Sequence, residues 1–125
     1  MILQLDTSIL IDLENGQKPV IGRLEELKGM YPALPTISFM TYFEFLYGLR
    51  KKRPHNQNSS LAFLENFDVI QTTKRTASVL SLLKERYGLP FSDLFIAAQA
   101  IENNMMLVTK DADFERIEEL NKIVV

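Results

Sequence analysis

Short apolar runs alternate with longer amphipathic segments along the whole chain. The runs that predict strands cover residues 2–5, 34–37, 68–71, 105–109 and 122–125. Between them, apolar positions that recur every three or four residues predict helices. Because strands alternate with helices over 125 residues, we expect a single α/β domain with a mostly parallel five-stranded sheet.

Capping residues suggest where several helices begin and end. Ser38 and Ser92 are predicted N-caps, and Gly88 followed by Leu89 predicts a Schellman-type C-terminus. A polar loop is expected at 54–60. The predicted helices cover residues 9–13, 20–27, 39–52, 61–67, 74–87, 94–101 and 114–121.

Two of these helices are apolar on nearly every side, which predicts burial against more than one neighbour. The helix at 94–101 contains three alanines, so another element can approach it closely. The helix at 39–52 is apolar almost all round except for Glu44 in its middle. We expect one of its faces to contact the core and the other to contact a partner.

Composition excludes several kinds of site. The chain has no cysteine and one histidine, His55, so thiolate metal sites, histidine-rich zinc sites and most catalytic triads are excluded. No apolar run is long enough for a membrane span, and the first residues lack a basic leader, so we expect a cytoplasmic protein. The net charge of −2 means that nucleic acid would have to be bound by local basic patches or metal ions.

Four acidic residues are notable for where they stand in the chain. Asp6 and Asp111 follow predicted strands, Asp93 lies at the start of a buried helix, and Glu44 lies within an apolar one. In a parallel sheet these positions share one edge, where α/β folds place their sites. Carboxylates 4 Å apart repel by roughly 4 kcal/mol at an effective dielectric constant of 20, so either a cation or shared protons must compensate. Oxygen ligands favour Mg²⁺ or Mn²⁺ as that cation.

Each acid also has a purely structural interpretation. Asp6 and Asp93 could serve only as capping or helix-dipole residues, and Asp111 could serve only in a turn. Glu44 would then need a lysine or arginine partner across the fold. The basic residues at 50–53 are most simply a solvated helix end, with RNA contact as the alternative. The four acids together, on alternating elements, favour a site.

Four motifs in this order resemble the PIN domain family, and within it the VapC-type toxin ribonucleases of type II toxin–antitoxin systems. The resemblance covers essentially the whole chain. The motifs are LDTSILIDL (5–13), TYFEFLYGL (41–49), LPFSDLFIAAQA (89–100) and LVTKDADF (107–114).

This resemblance implies a three-layer α/β/α sandwich with strand order 3-2-1-4-5. It implies a Mg²⁺- or Mn²⁺-dependent endoribonuclease, leaving 5′-phosphate and 3′-hydroxyl ends on an RNA such as tRNA or rRNA. It also implies a homodimer and a VapB-like antitoxin. By motif, the catalytic acids are Asp6, Glu44, Asp93 and Asp111, with Asp6, Asp93 and Asp111 as the metal ligands. The auxiliary residues are Asp113, which is also an alternative to Asp111, and the hydroxyl residues Thr7, Ser8 and Thr109.

Two other functions compete with this one. A PIN-like module that binds RNA or protein without turnover would need no complete acid set, and all four acids are present. A phosphohydrolase with Asp6 as nucleophile would carry the Asp-x-Asp typical of one such class, but position 8 is serine.

Overall fold

The computed structural model describes all 125 residues and contains one five-stranded sheet. Every strand pair is parallel, and the order is β3-β2-β1-β4-β5. This confirms the predicted sheet and its strand order. The strands are β1 (Leu3–Leu5), β2 (Thr36–Ile37), β3 (Asp68–Val69), β4 (Met106–Thr109) and β5 (Lys122–Val124).

Six α-helices connect the strands and cover both faces of the sheet, which confirms the α/β/α sandwich. One apolar core lies around β1, α1, α3 and α4, and the other lies between α6, α5 and the chain after β4. None of the helices is both long and apolar enough to span a bilayer. The helices are α1 (Thr7–Glu14), α2 (Lys18–Leu27), α3 (Phe39–Gly48), α4 (Pro54–Leu64), α5 (Lys74–Arg86) and α6 (Phe91–Glu102).

The register of the central strands brings their C-terminal ends to one level. Leu5 of β1 pairs with Ile37 of β2 on one side and with Val108 of β4 on the other. The next residue in each case is polar, and Asp6 is one of them. Side chains that are far apart in the chain therefore meet at this edge of the sheet.

Two of the predicted helix ends are wrong. Ser92 does not cap α6, because Pro90 is the N-cap and its carbonyl accepts from the N–H of Leu94 at 3.1 Å. Proline lacks an N–H and is tolerated at the start of a helix, so α6 begins before Ser92. Tyr87, which ends α5, is extended, and Gly88 has no positive φ, so the predicted Schellman end does not form.

Three other predicted elements differ in type or length. The loop at 54–60 is the first part of α4, because Pro54 at the first helical position loses no hydrogen bond. The helix at 114–121 is a short 3-10 helix, Ala112–Arg116, followed by turns. The apolar residues of this segment recur at every third position, and a 3-10 helix followed by turns can bury all of them. They are Phe114, Ile117 and Leu120. The helix at 39–52 leaves the α-conformation after Gly48 and continues as a 3-10 helix over Leu49–Lys51.

A buried glutamine, Gln99 of α6, links three parts of the fold. Its carbonyl oxygen accepts from the Ser38 hydroxyl at 2.7 Å and from the Phe39 N–H at 2.8 Å. Its amide nitrogen donates to the backbone carbonyl of Ile70 at 3.2 Å and lies 3.3 Å from the backbone carbonyl of Gln71. The start of α3 and the end of β3 are thus held against the helix that carries Asp93.

We expect Gln99→Met to lower the free energy of unfolding by about 3 kcal/mol, because it leaves buried backbone and hydroxyl groups without partners. Urea titration followed by circular dichroism measures this change. The same substitution at Gln17, whose side chain is exposed and caps no helix, should change the value by less than about 0.5 kcal/mol. Equal effects at the two positions would contradict the role of the amide.

Candidate active site

The acidic residues predicted from the sequence lie at the edge of the sheet where the central strands end. Asp6 follows β1 and is the N-cap of α1, and Asp111 follows β4. Asp93 lies in the first turn of α6, and Glu44 lies in the middle of α3. The charges of the other three all act on Asp93, so the fold brings the four together.

Asp6 is the most firmly held of the acids and is only 6% exposed. Its Oδ2 accepts from the Thr109 hydroxyl at 2.6 Å, and its Oδ1 accepts from the Thr7 N–H at 2.8 Å. The Ser8 hydroxyl lies 3.5 Å from Oδ2 and contributes little. A strand end and a helix start therefore fix one carboxylate from two sides.

Thr109 also positions the loop that carries Asp111. Its hydroxyl oxygen accepts from the Asp111 N–H at 3.0 Å while its hydrogen is donated to Asp6. Asp111 Oδ1 in turn accepts from the N–H of Asp113 at 2.9 Å, and Asp113 itself is exposed. One buried threonine thus sets the separation of two acids.

Glu44 is held by hydroxyl groups and not by a cation. The Thr7 hydroxyl lies 2.6 Å from Glu44 Oε1 and 3.0 Å from the hydroxyl of Thr41. A hydroxyl has one hydrogen, so Thr7 donates to Glu44 and accepts from Thr41. Thr7 is therefore bonded to two acids, to Asp6 through its N–H and to Glu44 through its side chain.

Sequence reasoning did not identify Thr41, which is fully buried. A signal was present, because a hydroxyl three residues before an isolated glutamate on an apolar helix lies on the same helical face.

No lysine or arginine neutralises the four acids. The five ion pairs of the chain involve other carboxylates, and the cation that Glu44 would need in its structural interpretation is absent. Asp12, for example, pairs with Lys110. The site therefore carries uncompensated negative charge.

Comparison with protein families identifies the family of the chain. The sequence model described as the PIN domain matches residues 4–120. The chain belongs to the PIN domain family. Comparison with curated proteins gives no match.

Solved structures with the same fold include chains of three toxin–antitoxin complexes. VapBC2 from Rickettsia felis, bound to a DNA fragment from its promoter, is 26% identical with a TM-score of 0.80, covering 99% of this chain and 98% of that one. A toxin–antitoxin complex from Klebsiella pneumoniae is 28% identical with a TM-score of 0.81, covering 98% and 96%. VapBC-1 from nontypeable Haemophilus influenzae is 25% identical with a TM-score of 0.77, covering 99% and 98%. The similarity supports a PIN domain of the VapC type.

The electrostatics of this PIN domain reflect the crowding of its acids. Burial, and then in decreasing order the charges of Asp6, Asp111, Glu44 and Asp113, together raise the pKa of Asp93 from 3.8 to about 6. Burial also raises the pKa of Asp6, although hydrogen bonds from Thr109 and Thr7 oppose the shift. The charge of Asp111 raises the pKa of both of these acids, whereas that of Asp113 makes the smallest of the named contributions at Asp93.

The donor atoms at the site of the PIN domain are carboxylate and hydroxyl oxygens. Such donors suit hard cations such as Mg²⁺ and Mn²⁺ better than Zn²⁺. In this structure no group of three or more acidic or histidine side chains is close enough together to hold a metal ion. The chemistry of the donors and the uncompensated charge fit a divalent cation.

In chelator, we expect the contribution of Asp93 to the stability of the PIN domain to fall as the pH rises from 3.8 to about 6. Over that window the folded protein keeps on Asp93 a proton that the unfolded chain has already released, so each rise in pH favours unfolding. Asp93→Asn should therefore raise the melting temperature above wild type at pH 7.5 and leave it unchanged near pH 3.5. Scanning calorimetry at both pH values measures this difference.

Asp68→Asn is the matched control, because Asp68 is exposed on β3 and makes no ion pair. Its melting temperature should follow wild type at both pH values. A lower melting temperature for Asp93→Asn at pH 7.5 would contradict the assignment of charge repulsion at Asp93.

Proposed function

We propose that this chain is a divalent-metal-dependent endoribonuclease, the toxin of a VapBC-type pair. The observation that carries the proposal is the convergence of Asp6, Glu44, Asp93 and Asp111, with no basic residue to neutralise them. Membership of the PIN domain family and the likeness to VapBC structures support a nuclease.

Asp6, Asp93 and Asp111 would hold the cation, Mg²⁺ or Mn²⁺. When bound, such an ion acts as a Lewis acid toward a phosphate oxygen and lowers the pKa of water for in-line attack. The charges of Asp6 and Asp111 act on Asp93 in the folded chain and, after burial, are the largest causes of its raised pKa, which supports a shared site for the three carboxylates. Asp113 is exposed and better suited to an auxiliary role than to that of Asp111.

Glu44 would act beside the three ligands. Its carboxylate is partly exposed and is oriented by the Thr7 hydroxyl, so it can accept a proton from an attacking water or orient that water. The Thr109 hydroxyl and the Thr7 N–H donate hydrogen bonds to Asp6, which lower its pKa and favour its deprotonated form. These hydroxyls thus prepare two acids for the reaction.

We expect purified protein to cut RNA with Mg²⁺ or Mn²⁺ and to leave 5′-phosphate and 3′-hydroxyl ends. Asp93→Asn should lower the rate at least ~100-fold while the variant stays folded, because the charge lost is one that the cation requires. Sequencing of RNA 5′ ends after induced expression maps the cut sites. The control is again Asp68→Asn, which should cut at the wild-type rate.

Two outcomes would count against the proposal. Cutting that continues undiminished in chelator would exclude the metal-dependent reaction. A folded wild-type protein that binds RNA and Mn²⁺ without cutting would favour a PIN-like binding module without turnover.

Substitutions at Thr7 separate the positioning of Glu44 from that of Asp6. Thr7→Val removes the hydroxyl that faces Glu44 but keeps the N–H that Asp6 needs. We expect kcat to fall about 10- to 100-fold with little change in KM, as for other residues that orient a reacting group. Thr7→Ser keeps both donors and should restore most of the activity. Wild-type activity in Thr7→Val would contradict the role of the hydroxyl, and a loss in Thr7→Ser equal to that in Thr7→Val would show that the hydroxyl alone does not account for the effect.

Partner binding is supported by the outer face of α3. Large apolar side chains at the spacing of one helical face remain exposed there and continue onto α6. We call this the aromatic surface, and it consists of Phe39, Phe43, Leu46, Tyr47 and Phe91. It matches the expected second face of the helix at 39–52 and suits the homodimer and the VapB-like antitoxin of this proposal.

A further inference from the structure

A polar concavity lies beyond the C-terminal end of α3, between the 3-10 helix and α4. Its volume is about 430 Å³, and no apolar residue lines it. We call it the basic recess. It is lined by Glu14, Asn15, Lys51, Lys52, Arg53, Asn56, Ser59 and Ser60.

Two cations of the basic recess have no partner within the chain. Lys52 is neutralised, since its Nζ lies 2.9 Å from Glu14 Oε1 and 2.7 Å from the Ser60 hydroxyl. Lys51 and Arg53 are exposed and make no ion pair or side-chain hydrogen bond. The recess therefore has a net charge of about +2 available to a ligand.

The polar groups around these cations are suited to an anion. Arg53 is the N-cap of α4, which begins at Pro54 with no side-chain hydrogen bond to its first N–H groups. The positive end of the helix dipole therefore adds to the two cations. Asn56 and Ser59, one turn apart on α4, supply side-chain donors to the same recess.

A groove joins the basic recess to the acidic site. It lies between α1 and α3, has a volume of about 190 Å³, and its lining includes both Glu44 and Lys52. It shares Glu14, Asn15 and Lys52 with the recess, so the two are continuous. Glu44 and Lys51 are seven residues apart, which corresponds to roughly 10 Å along the helical segment.

We propose that the basic recess binds a backbone phosphate of the RNA strand, a few nucleotides from the scissile bond. The inference rests on the proposed ribonuclease function and names where the substrate is held. The acidic site repels a polyanion and the chain as a whole is slightly negative, so attraction has to come from a local patch. The recess has that charge, and the groove leads from it to Glu44.

The test is the salt dependence of RNA binding, measured in chelator so that cleavage does not interfere. A fluorescein-labelled single-stranded RNA is titrated with Asp93→Asn protein at several salt concentrations. Adding Lys51→Ala and Arg53→Ala should raise Kd about tenfold and reduce the slope of log K against log salt by about 0.7 for each lost phosphate contact. In the cleaving enzyme the same pair should raise KM and leave kcat within about twofold.

The matched control is Lys74→Ala with Arg75→Ala, an adjacent pair of exposed cations at the start of α5. Hydroxyls of this turn contact Glu102 at the far end of α6 from Asp93, so the pair is remote from the site. Its loss removes the same charge and should change Kd less than about twofold. Equal effects of the two pairs would show that the recess affects RNA binding only through the net charge of the protein, which would overturn the proposal.

The outcomes also separate this inference from the proposed function. Unchanged Kd and slope in a protein that cuts RNA would overturn the recess and leave the ribonuclease intact. Retained RNA affinity together with lost binding of an acidic protein partner would likewise overturn it, assigning the recess to that partner. A reduced slope in a protein that never cuts would support the recess and overturn the ribonuclease.

Discussion

Repulsion among carboxylates that cannot move apart is the constraint on which the rest of this structure depends. The parallel register sets the ends of β1 and β4 side by side, and α6 presents Asp93 to the same place. Burial and the charges of the neighbouring acids, which no basic side chain offsets, together raise the pKa of Asp93 to about 6. A fold that tolerates this repulsion must hold its acids with many other contacts, because the repulsion lowers the stability of the folded state.

Hydroxyl and amide groups provide much of that support. Thr109 hydrogen-bonds to Asp6 and to the backbone of Asp111, Thr7 hydrogen-bonds to Asp6 and Glu44, and Thr41 orients Thr7 from within the core. Gln99 performs the same task at a distance, since it fastens the start of α3 to the helix of Asp93. Nearly all of the residues in the middle of α6 are buried, so this helix is a rigid mount.

The surface divides into regions with different chemistry although the net charge is close to zero. Acids gather at the sheet edge, the aromatic surface covers the outer face of α3, and unpaired cations line the basic recess. All three regions involve α3 or the segment that follows it. One helix therefore relates the site, the expected partner surface and the proposed RNA contact to one another.

The sequence by itself determined the alternation of strands and helices and the parallel sheet, and it singled out four acids as a candidate site, because periodicity and residue type act locally. It did not determine that Pro54 begins a helix or that 112–116 forms only a 3-10 helix, since packing decides between similar local conformations. Only the tertiary structure joined Thr41 to Thr7 and Glu44, and the basic recess to the groove. Such contacts depend on strand register and helix packing, which no short stretch of chain encodes.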